Sequence, residues 1–203
     1  MPTDMGTIYT MFQIEGHNVA GMGPAQPGSP SYWTSYVNSK DVDSAVARAA
    51  AAGGNVIMPP MDVMQEGRMA IIAAPDGAMF GIWQAINHIG AQIVNQPNSL
   101  VWNELQTRDL EAAKPFFAAV FDWTHQADDN GYVMFSKGSR MQAGAMQIDE
   151  NWGDVPNNWA VYFQVDDIDA IVANVQALGG NVMVPVTKMG EMGSFAVISD
   201  PAG

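Results

Sequence analysis

Two stretches of this chain, residues 33–77 and residues 159–203, repeat each other without a gap. An offset of 126 residues matches 17 of the 45 positions, and the run Gly-Gly-Asn-Val at residues 53–56 returns intact at residues 179–182. Each copy has the pattern of a strand, a helix closed by a glycine pair, and further strands that lead to a Pro-x-Gly turn. A repeat of this length predicts an architecture of duplicated modules.

A shorter pattern links the start of the chain to a later segment. Residues 9–21 and 132–144 share a tyrosine, a Met-Phe pair, a polar turn and an Ala-Gly pair in the same order. The first 30 residues are therefore expected to be the tail of a module whose full form begins at Val101. We expect two domains, residues 1–86 and 101–203, joined by a linker over residues 87–100.

Both ends stop short of this module pattern. By analogy with residues 101–128, the first domain lacks its opening strand and helix. The second domain stops at Gly203, where its counterpart continues through residues 79–83. We expect a fragment of a longer reading frame that is truncated at both ends. The alternative is a short chain that completes its open sheet edges by pairing with another subunit, as in a homodimer.

Local signals place the elements of the first repeat copy. A helix is expected from Asp41, with Ser39 or Asp41 capping its free amides, to the glycine pair at Gly53. Pro59 and Pro60 are expected to lie in a loop after a short strand. The strand candidates are residues 33–38, 56–58, 69–73 and 79–83.

The third module has its own helix signals. Thr107 or Asp109 is expected to cap a helix that carries an apolar face through Phe121. Pro115 lies inside this helix, where a missing backbone donor should bend or shorten the first turns.

Composition limits the function classes. The chain has 203 residues, 48% of them hydrophobic and 14% charged, which suffices for a buried core. No run of eighteen apolar residues is present, residues 1–4 give no support for a secretory signal, and cysteines are absent, so a cytoplasmic protein is expected. The net charge of −13 opposes partnership with nucleic acid or an anionic membrane. A small-molecule partner is expected instead.

Three local patterns carry a resemblance to a known family. They are residues 102–109 followed by Ala112, Ala113, Phe116 and Phe117; residues 162–169; and residues 67–83 with their Pro-x-Gly turn. With them the chain resembles the vicinal-oxygen-chelate superfamily of glyoxalases, bleomycin-resistance proteins and extradiol dioxygenases, and most of all its tandem glyoxalase-like proteins. The resemblance implies an α+β fold in which paired βαβββ modules form two cleft-shaped, barrel-like mixed sheets with helices on the outside.

The resemblance also implies where metal ligands would stand. Family sites place His, Gln or Glu seven residues before the aspartate that begins the helix, and Glu six residues after the turn proline. These rules select Thr34, Trp102, Ala160 and Gly81 here, and none of these side chains is a plausible ligand for a divalent cation. The three histidines have no ligand spacing. We therefore expect no metal site, and no cofactor.

A ligand-binding cleft remains as the expected site. If alternate strand residues face the cleft, an aromatic wall with a few amides and one carboxylate results, as in small-molecule pockets. The cleft set is Trp102, Glu104, Gln106, Tyr162 and Gln164 in the second half, and Tyr36, Asn38 and Trp83 in the first. The alternative is that Trp102 and Tyr162 only plug a closed barrel.

Glu104 is the candidate catalytic residue. Burial among aromatic side chains disfavours the charged form of a carboxylate, and this can prepare a general base or an anchor for a ligand. The alternative is a satisfied polar group bonded to Gln106, Gln164 or backbone amides.

Three functional hypotheses follow. The first is a glyoxalase/bleomycin-resistance-like protein that binds a small molecule in a metal-free aromatic cleft. The second is a metal-dependent lyase, isomerase or dioxygenase of the glyoxalase type, with Mn, Fe, Ni or Zn as the metal. The third is a non-catalytic assembly subunit. The sequence does not decide whether the chain is an enzyme, and it names no substrate.

Overall fold

The computed structural model describes residues 9–25 and 27–202 of the chain. These residues form thirteen strands, three α-helices and two short 3-10 helices, at Glu150–Trp152 and Gly190–Met192. In chain order the elements are β1 (Thr10–Ile14), β2 (His17–Met22), β3 (Tyr36–Asn38), α1 (Val42–Ala51), β4 (Asn55–Val63), β5 (Gly67–Ala73), β6 (Met79–Ala85), β7 (Leu100–Thr107), α2 (Leu110–Phe121), β8 (Thr124–Ala127), β9 (Val133–Lys137), β10 (Arg140–Gln147), β11 (Asn158–Phe163), α3 (Ile168–Ala177), β12 (Asn181–Lys188) and β13 (Ser194–Ser199).

The second and third modules have the same topology. In one, β3 pairs in parallel with β6 and the sheet order is β3-β6-β5-β4. In the other, β7 pairs in parallel with β10, and the sheet order is β11-β7-β10-β9-β8. The remaining pairs in each module are antiparallel. Each module is therefore a βαβββ unit, and the expected α+β class with mixed sheets is confirmed.

Two compact units divide the described chain, and each draws on both halves of the sequence. The larger unit takes in Trp33–Gly90 and Trp102–Tyr162. The smaller unit takes in the described residues up to Tyr32, Ala91–Val101, and the chain from Phe163 onward. The expected division into residues 1–86 and 101–203 stays a prediction about sequence domains.

The core of the larger unit is built on its two helices. Asp41 and Asp109 cap α1 and α2, and their carboxylates accept from the backbone amides of Ser44 and Ala112. Helix α1 buries residues at spacings of three and four, which line one face of a helix. In α2, Phe117 lies fully buried with its ring 5.6 Å from Phe80.

The smaller unit has a hairpin, β1 with β2, and a second hairpin, β12 with β13, against which α3 packs. Asp167 caps α3 through the amide of Ala170. Among the described residues of the chain, no helix is both long and apolar enough to cross a membrane.

Three local expectations are wrong. Pro59 and Pro60 lie inside β4, because β4 is an edge strand and its register with β5 shifts between Met58 and Met61. At such a position the missing proline donors cost no ladder bond. Strand β3 begins at Tyr36 rather than Trp33, since pairing with β6 starts there. Pro115 does not shorten α2, which continues from Leu110 to Phe121, and the alternative that it bends the first turns stays a prediction.

Candidate functional site

Strand β7 holds the side chains of the candidate site on one face. Alternate residues of a strand point to opposite sides, so Trp102, Glu104 and Gln106 share a face. On the other side Leu105 is fully buried in the helical core. The parity expected from the sequence is therefore confirmed for β7, and it directs Glu104 away from the helices.

Glu104 is buried, with 7% of its surface exposed to solvent, and it is the centre of a hydrogen-bonded cluster. Its Oε1 accepts from Gln106 Nε2 at 3.0 Å and from the Tyr162 hydroxyl at 3.1 Å. Its Oε2 accepts from the Tyr132 hydroxyl at 3.0 Å. Trp102 Nε1 donates in turn to the Tyr132 oxygen at 2.8 Å. We call these five side chains the Glu104 cluster.

The bonds to Glu104 suit its ionised form. An indole N–H only donates, so the Tyr132 oxygen accepts from Trp102, and the Tyr132 hydroxyl donates to Glu104 Oε2. With an amide and a second phenol also donating, both carboxylate oxygens act as acceptors, which is the pattern of the ionised form. Glu104 bonds Gln106, as foreseen, and two tyrosines in the place expected for Gln164 or backbone amides. Its role as a catalytic residue stays a prediction.

The two phenols remain protonated donors. Burial, and next the negative charge of Glu104, raise the pKa of Tyr132 and of Tyr162 far above the ordinary range. Each hydroxyl therefore supplies a hydrogen bond to the carboxylate at neutral pH and is unsuited to act as a base.

Gln106 is oriented from both ends of its amide. Its Nε2 donates to Glu104, and its Oε1 accepts from Asn158 Nδ2 at 3.4 Å. Asn158 also donates to the carbonyl of Pro156, which ties the start of β11 to this arrangement.

Gly144 on β10 makes room for the cluster. It pairs with Glu104 in the parallel register of β10 and β7. A Cβ at this position would overlap the Tyr132 hydroxyl and would lie 2.7 Å from Trp102 Nε1. The close approach of these two side chains over the strand therefore requires glycine here.

The remaining expected site residues lie elsewhere. Tyr36 and Trp83 form an edge-to-face pair on β3 and β6 with ring centroids 6.4 Å apart, and Asn38 pairs with Trp83 along the strands. Trp83 Nε1 donates to the carbonyl of His88. This face is aromatic and, along β3 and β6, carries no acidic residue. Gln164 belongs to the smaller unit, where its backbone pairs with Asn98 and Ser99.

Sequence reasoning missed Tyr132, Gly144 and Asn158 as members of the site. The only signal for the first two was the recurrence of residues 9–21 as residues 132–144. Linking that pattern to Glu104 requires the pairing of β7 with β10, which the sequence does not reveal.

The residues at the family's metal positions do not fit a divalent cation. Thr34, Ala160 and Gly81 offer no suitable donor, and the indole nitrogen of Trp102 donates to Tyr132. Within residues 9–25 and 27–202, no three His, Cys, Asp or Glu side chains come together as a ligand group. The expectation that the chain holds no metal stays a prediction.

A groove of about 510 Å³ runs along the loop that includes Glu150 and Asp154, and no residue of the Glu104 cluster lines it. Arg108 lines it, and its guanidinium donates to the carbonyls of Gly153 and Val155. The groove thus marks a loop held by an arginine.

Known proteins show which family has this architecture. The family model described as "Glyoxalase/Bleomycin resistance protein/Dioxygenase superfamily" matches residues 6–82 and 85–203. The chain is 39% identical over 206 residues to "Putative glyoxylase CFP32" of Mycobacterium bovis, covering 98% of this chain and 78% of that protein. It is 37% identical over 169 residues to "Anthracycline biosynthesis protein DauV" of Streptomyces sp. (strain C5), covering 82% of this chain and 61% of that protein.

Solved structures share the fold at low identity. The Mn(II)-bound glyoxalase from Novosphingobium aromaticivorans aligns with a TM-score of 0.55 and 15% identity, covering 83% of this chain and 58% of that one. The 2,3-dioxygenase LapB from Pseudomonas sp. KL28 aligns with a TM-score of 0.52 and 13% identity, covering 83% of this chain and 68% of that one. The two family matches together span nearly all of the sequence, the βαβββ topology is duplicated, and the relatives are near 40% identical. The chain therefore belongs to the glyoxalase/bleomycin resistance protein/dioxygenase superfamily.

Proposed function

We propose that this chain binds a small planar organic molecule on the sheet face that carries the Glu104 cluster, and that it does so without a metal. The observation that carries the proposal is a buried carboxylate held by neutral donors beside partly exposed aromatic rings. Small-molecule sites combine such a wall of aromatic side chains with a few fixed polar groups.

The carboxylate has the acceptor capacity for one more donor. Each carboxylate oxygen offers about two acceptor positions. Oε1 accepts from Gln106 and Tyr162, whereas the described contacts of Oε2 comprise one bond, from Tyr132. A hydroxyl or N–H group of a ligand can take the remaining position at Oε2.

The cluster is organised before a ligand arrives. Three hydrogen bonds hold Glu104, and the bond from Trp102 Nε1 to Tyr132 fixes the indole on the same face. A site whose side chains are already ordered spends little conformational entropy on binding.

The partly exposed rings of Trp102 and Tyr162 suit a flat ligand. Offset and edge-to-face contacts between aromatic rings contribute about 0.5–1.5 kcal/mol beyond the area that they bury. The name of one relative connects it with anthracycline biosynthesis, and anthracyclines are polycyclic aromatic molecules. This supports an aromatic ligand for the present chain.

The metal-dependent alternative draws its support from the name of a structural neighbour, a Mn(II)-bound glyoxalase. At 15% identity that neighbour supports the fold assignment alone, and the residues at the family's ligand positions in this chain are poor metal ligands. The two functions differ in whether removal of metal by a chelator abolishes ligand binding.

The test is binding of 2,6-dihydroxynaphthalene, followed by titration calorimetry, to protein treated with EDTA and checked by elemental analysis. We expect binding that chelation leaves unchanged, and a loss of about tenfold in affinity in Trp102→Ala, from the contribution of a stacked aromatic ring. Trp152→Ala is the matched control, because Trp152 is an exposed tryptophan of a 3-10 helix. No binding by the chelated protein, with binding restored by Mn, Fe, Ni or Zn, would replace this proposal with the metal-dependent one.

A further inference from the structure

Glu104 is a buried charge without a cationic partner. The ion pairs formed by the described residues connect Arg68 with Asp43 and Asp62, Lys114 with Glu111, and Lys137 with Asp122. None of them includes Glu104, whose described donors are an amide and two phenols. The negative charge at the centre of the cluster is therefore uncompensated within that part of the chain.

Such a charge has physical consequences for whatever approaches it. Burial of an ion is unfavourable unless it is paired, and neutral hydrogen bonds offset only part of the lost hydration. Since Oε2 retains an acceptor position, a cationic N–H donor can both complete the hydrogen bonding and supply the missing positive charge.

We infer that the molecule bound at the Glu104 cluster carries an ammonium group next to its aromatic ring, with the ammonium directed at Glu104 Oε2. This inference rests on the proposed function, because it specifies the class of ligand for the same site.

The surroundings of the carboxylate favour the same class. Trp102, Tyr132 and Tyr162 connect to Glu104 directly or through one hydroxyl, so a cation at Oε2 would lie among aromatic side chains that can add cation–π contacts. Across the whole chain 21 acidic residues stand against 8 Lys and Arg, and the resulting field attracts cations and repels anions. An anionic aromatic acid is the ligand class that both features disfavour.

The Tyr36–Trp83 face provides an internal contrast. It offers aromatic surface of the same kind, but β3 and β6 contain no acidic residue. The Tyr36–Trp83 face should bind aromatic ligands regardless of their charge. The Glu104 cluster should prefer cationic ones.

The experiment compares three probes on the intact chain by titration calorimetry. The probes are 1-naphthylmethylammonium, 1-naphthalenemethanol and 1-naphthoate, which share one ring system and differ in charge. We expect the ammonium probe to bind at least about tenfold more tightly than the alcohol, from the added ion pair and cation–π contact, and the carboxylate probe to bind most weakly.

Two variants place the preference at Glu104. Glu104→Gln keeps the shape of the side chain and removes its charge, so the preference for ammonium over alcohol should fall to within about threefold. Asp129→Asn makes the same change of net charge at an exposed turn residue and should retain the full preference. Far-UV circular dichroism checks that both variants are folded. If Glu104→Gln does not fold, the comparison of the three probes on the unmodified chain still tests the inference.

The outcomes separate the two proposals. Equal affinity for the ammonium and alcohol probes overturns the inference of a cationic ligand while small-molecule binding stands. A preference that survives in folded Glu104→Gln also overturns it, since the charge would then act from elsewhere. No binding of any of the three probes overturns this inference and the proposed function together.

Discussion

Substitution of Gly144 by alanine is expected to break the Glu104 cluster without removing any of its polar groups. The added Cβ would overlap the Tyr132 hydroxyl and would lie 2.7 Å from Trp102 Nε1, so one or both side chains must leave their positions. Both bonds made by the Tyr132 hydroxyl, one of them to a charged group, are lost when the ring moves. The carboxylate then keeps two of its three described donors.

The magnitude follows from three contributions. Overpacking costs about 1–3 kcal/mol, and loss of a hydrogen bond to a charged group costs about 1.5–3 kcal/mol. Replacing glycine within a strand returns about 0.5–1 kcal/mol. The free energy of unfolding should therefore fall by about 3 kcal/mol. With a urea dependence of about 2 kcal/mol per molar, the unfolding midpoint moves down by about 1.5 M.

The assay is urea unfolding followed by circular dichroism, in the native background and in a Tyr132→Ala background. Removing the tyrosine ring removes most of what the new methyl group meets, so Gly144→Ala should cost less than about 1 kcal/mol there. Equal costs in the two backgrounds would refute the reasoning, because the penalty would then arise from the strand itself and not from the side chains that cross it.

Three further predictions concern the same structure. Tyr162→Phe removes one donor to Glu104 and should lower the free energy of unfolding by about 1.5–3 kcal/mol in urea titrations; an unchanged midpoint would mean that this bond contributes nothing. Because the folded-state pKa of Tyr132 and Tyr162 is raised, the stability linked to them is present below the ordinary tyrosine pKa of about 10 and is lost as the pH rises above it. Urea midpoints measured from pH 8 to 11 should therefore fall more steeply in the native chain than in a Tyr132→Phe/Tyr162→Phe double variant. Parallel profiles of the two proteins would contradict the assignment. Asp109→Ala removes the cap of α2 and should cost about 1 kcal/mol, whereas Asp109→Asn, which can still accept from the Ala112 amide, should cost much less; equal losses would indicate a role other than capping.

Much of this architecture follows from local rules of the sequence. The repeat predicted duplicated modules, Asp41 and Asp109 were among the cap candidates for the first two helices, and strand alternation placed Trp102, Glu104 and Gln106 on one face. Each of these features depends on residues that are near neighbours in the chain, where spacing and capping chemistry decide the outcome.

What could not be predicted depends on pairing between distant segments. Tyr132 reaches Glu104 because β10 lies between β9 and β7, and no local pattern reveals that register. The prolines of β4 are tolerated because β4 is at the edge of its sheet, which is again a property of the assembled sheet. The Glu104 bonds to two tyrosines, in place of Gln164 and backbone amides, have the same origin.

The interleaved units bear on how the chain reaches its native state. The larger unit needs residues 33–90 together with residues 102–162, and the smaller one needs the beginning, middle and end of the sequence. During synthesis the amino-terminal half therefore emerges with its partners for both units still unmade, and contacts of long sequence separation form slowly. Cleavage between residues 90 and 102 would leave two pieces, and neither piece would hold all the segments of either unit. The two halves of the chain should therefore fold together, each completing the units of the other.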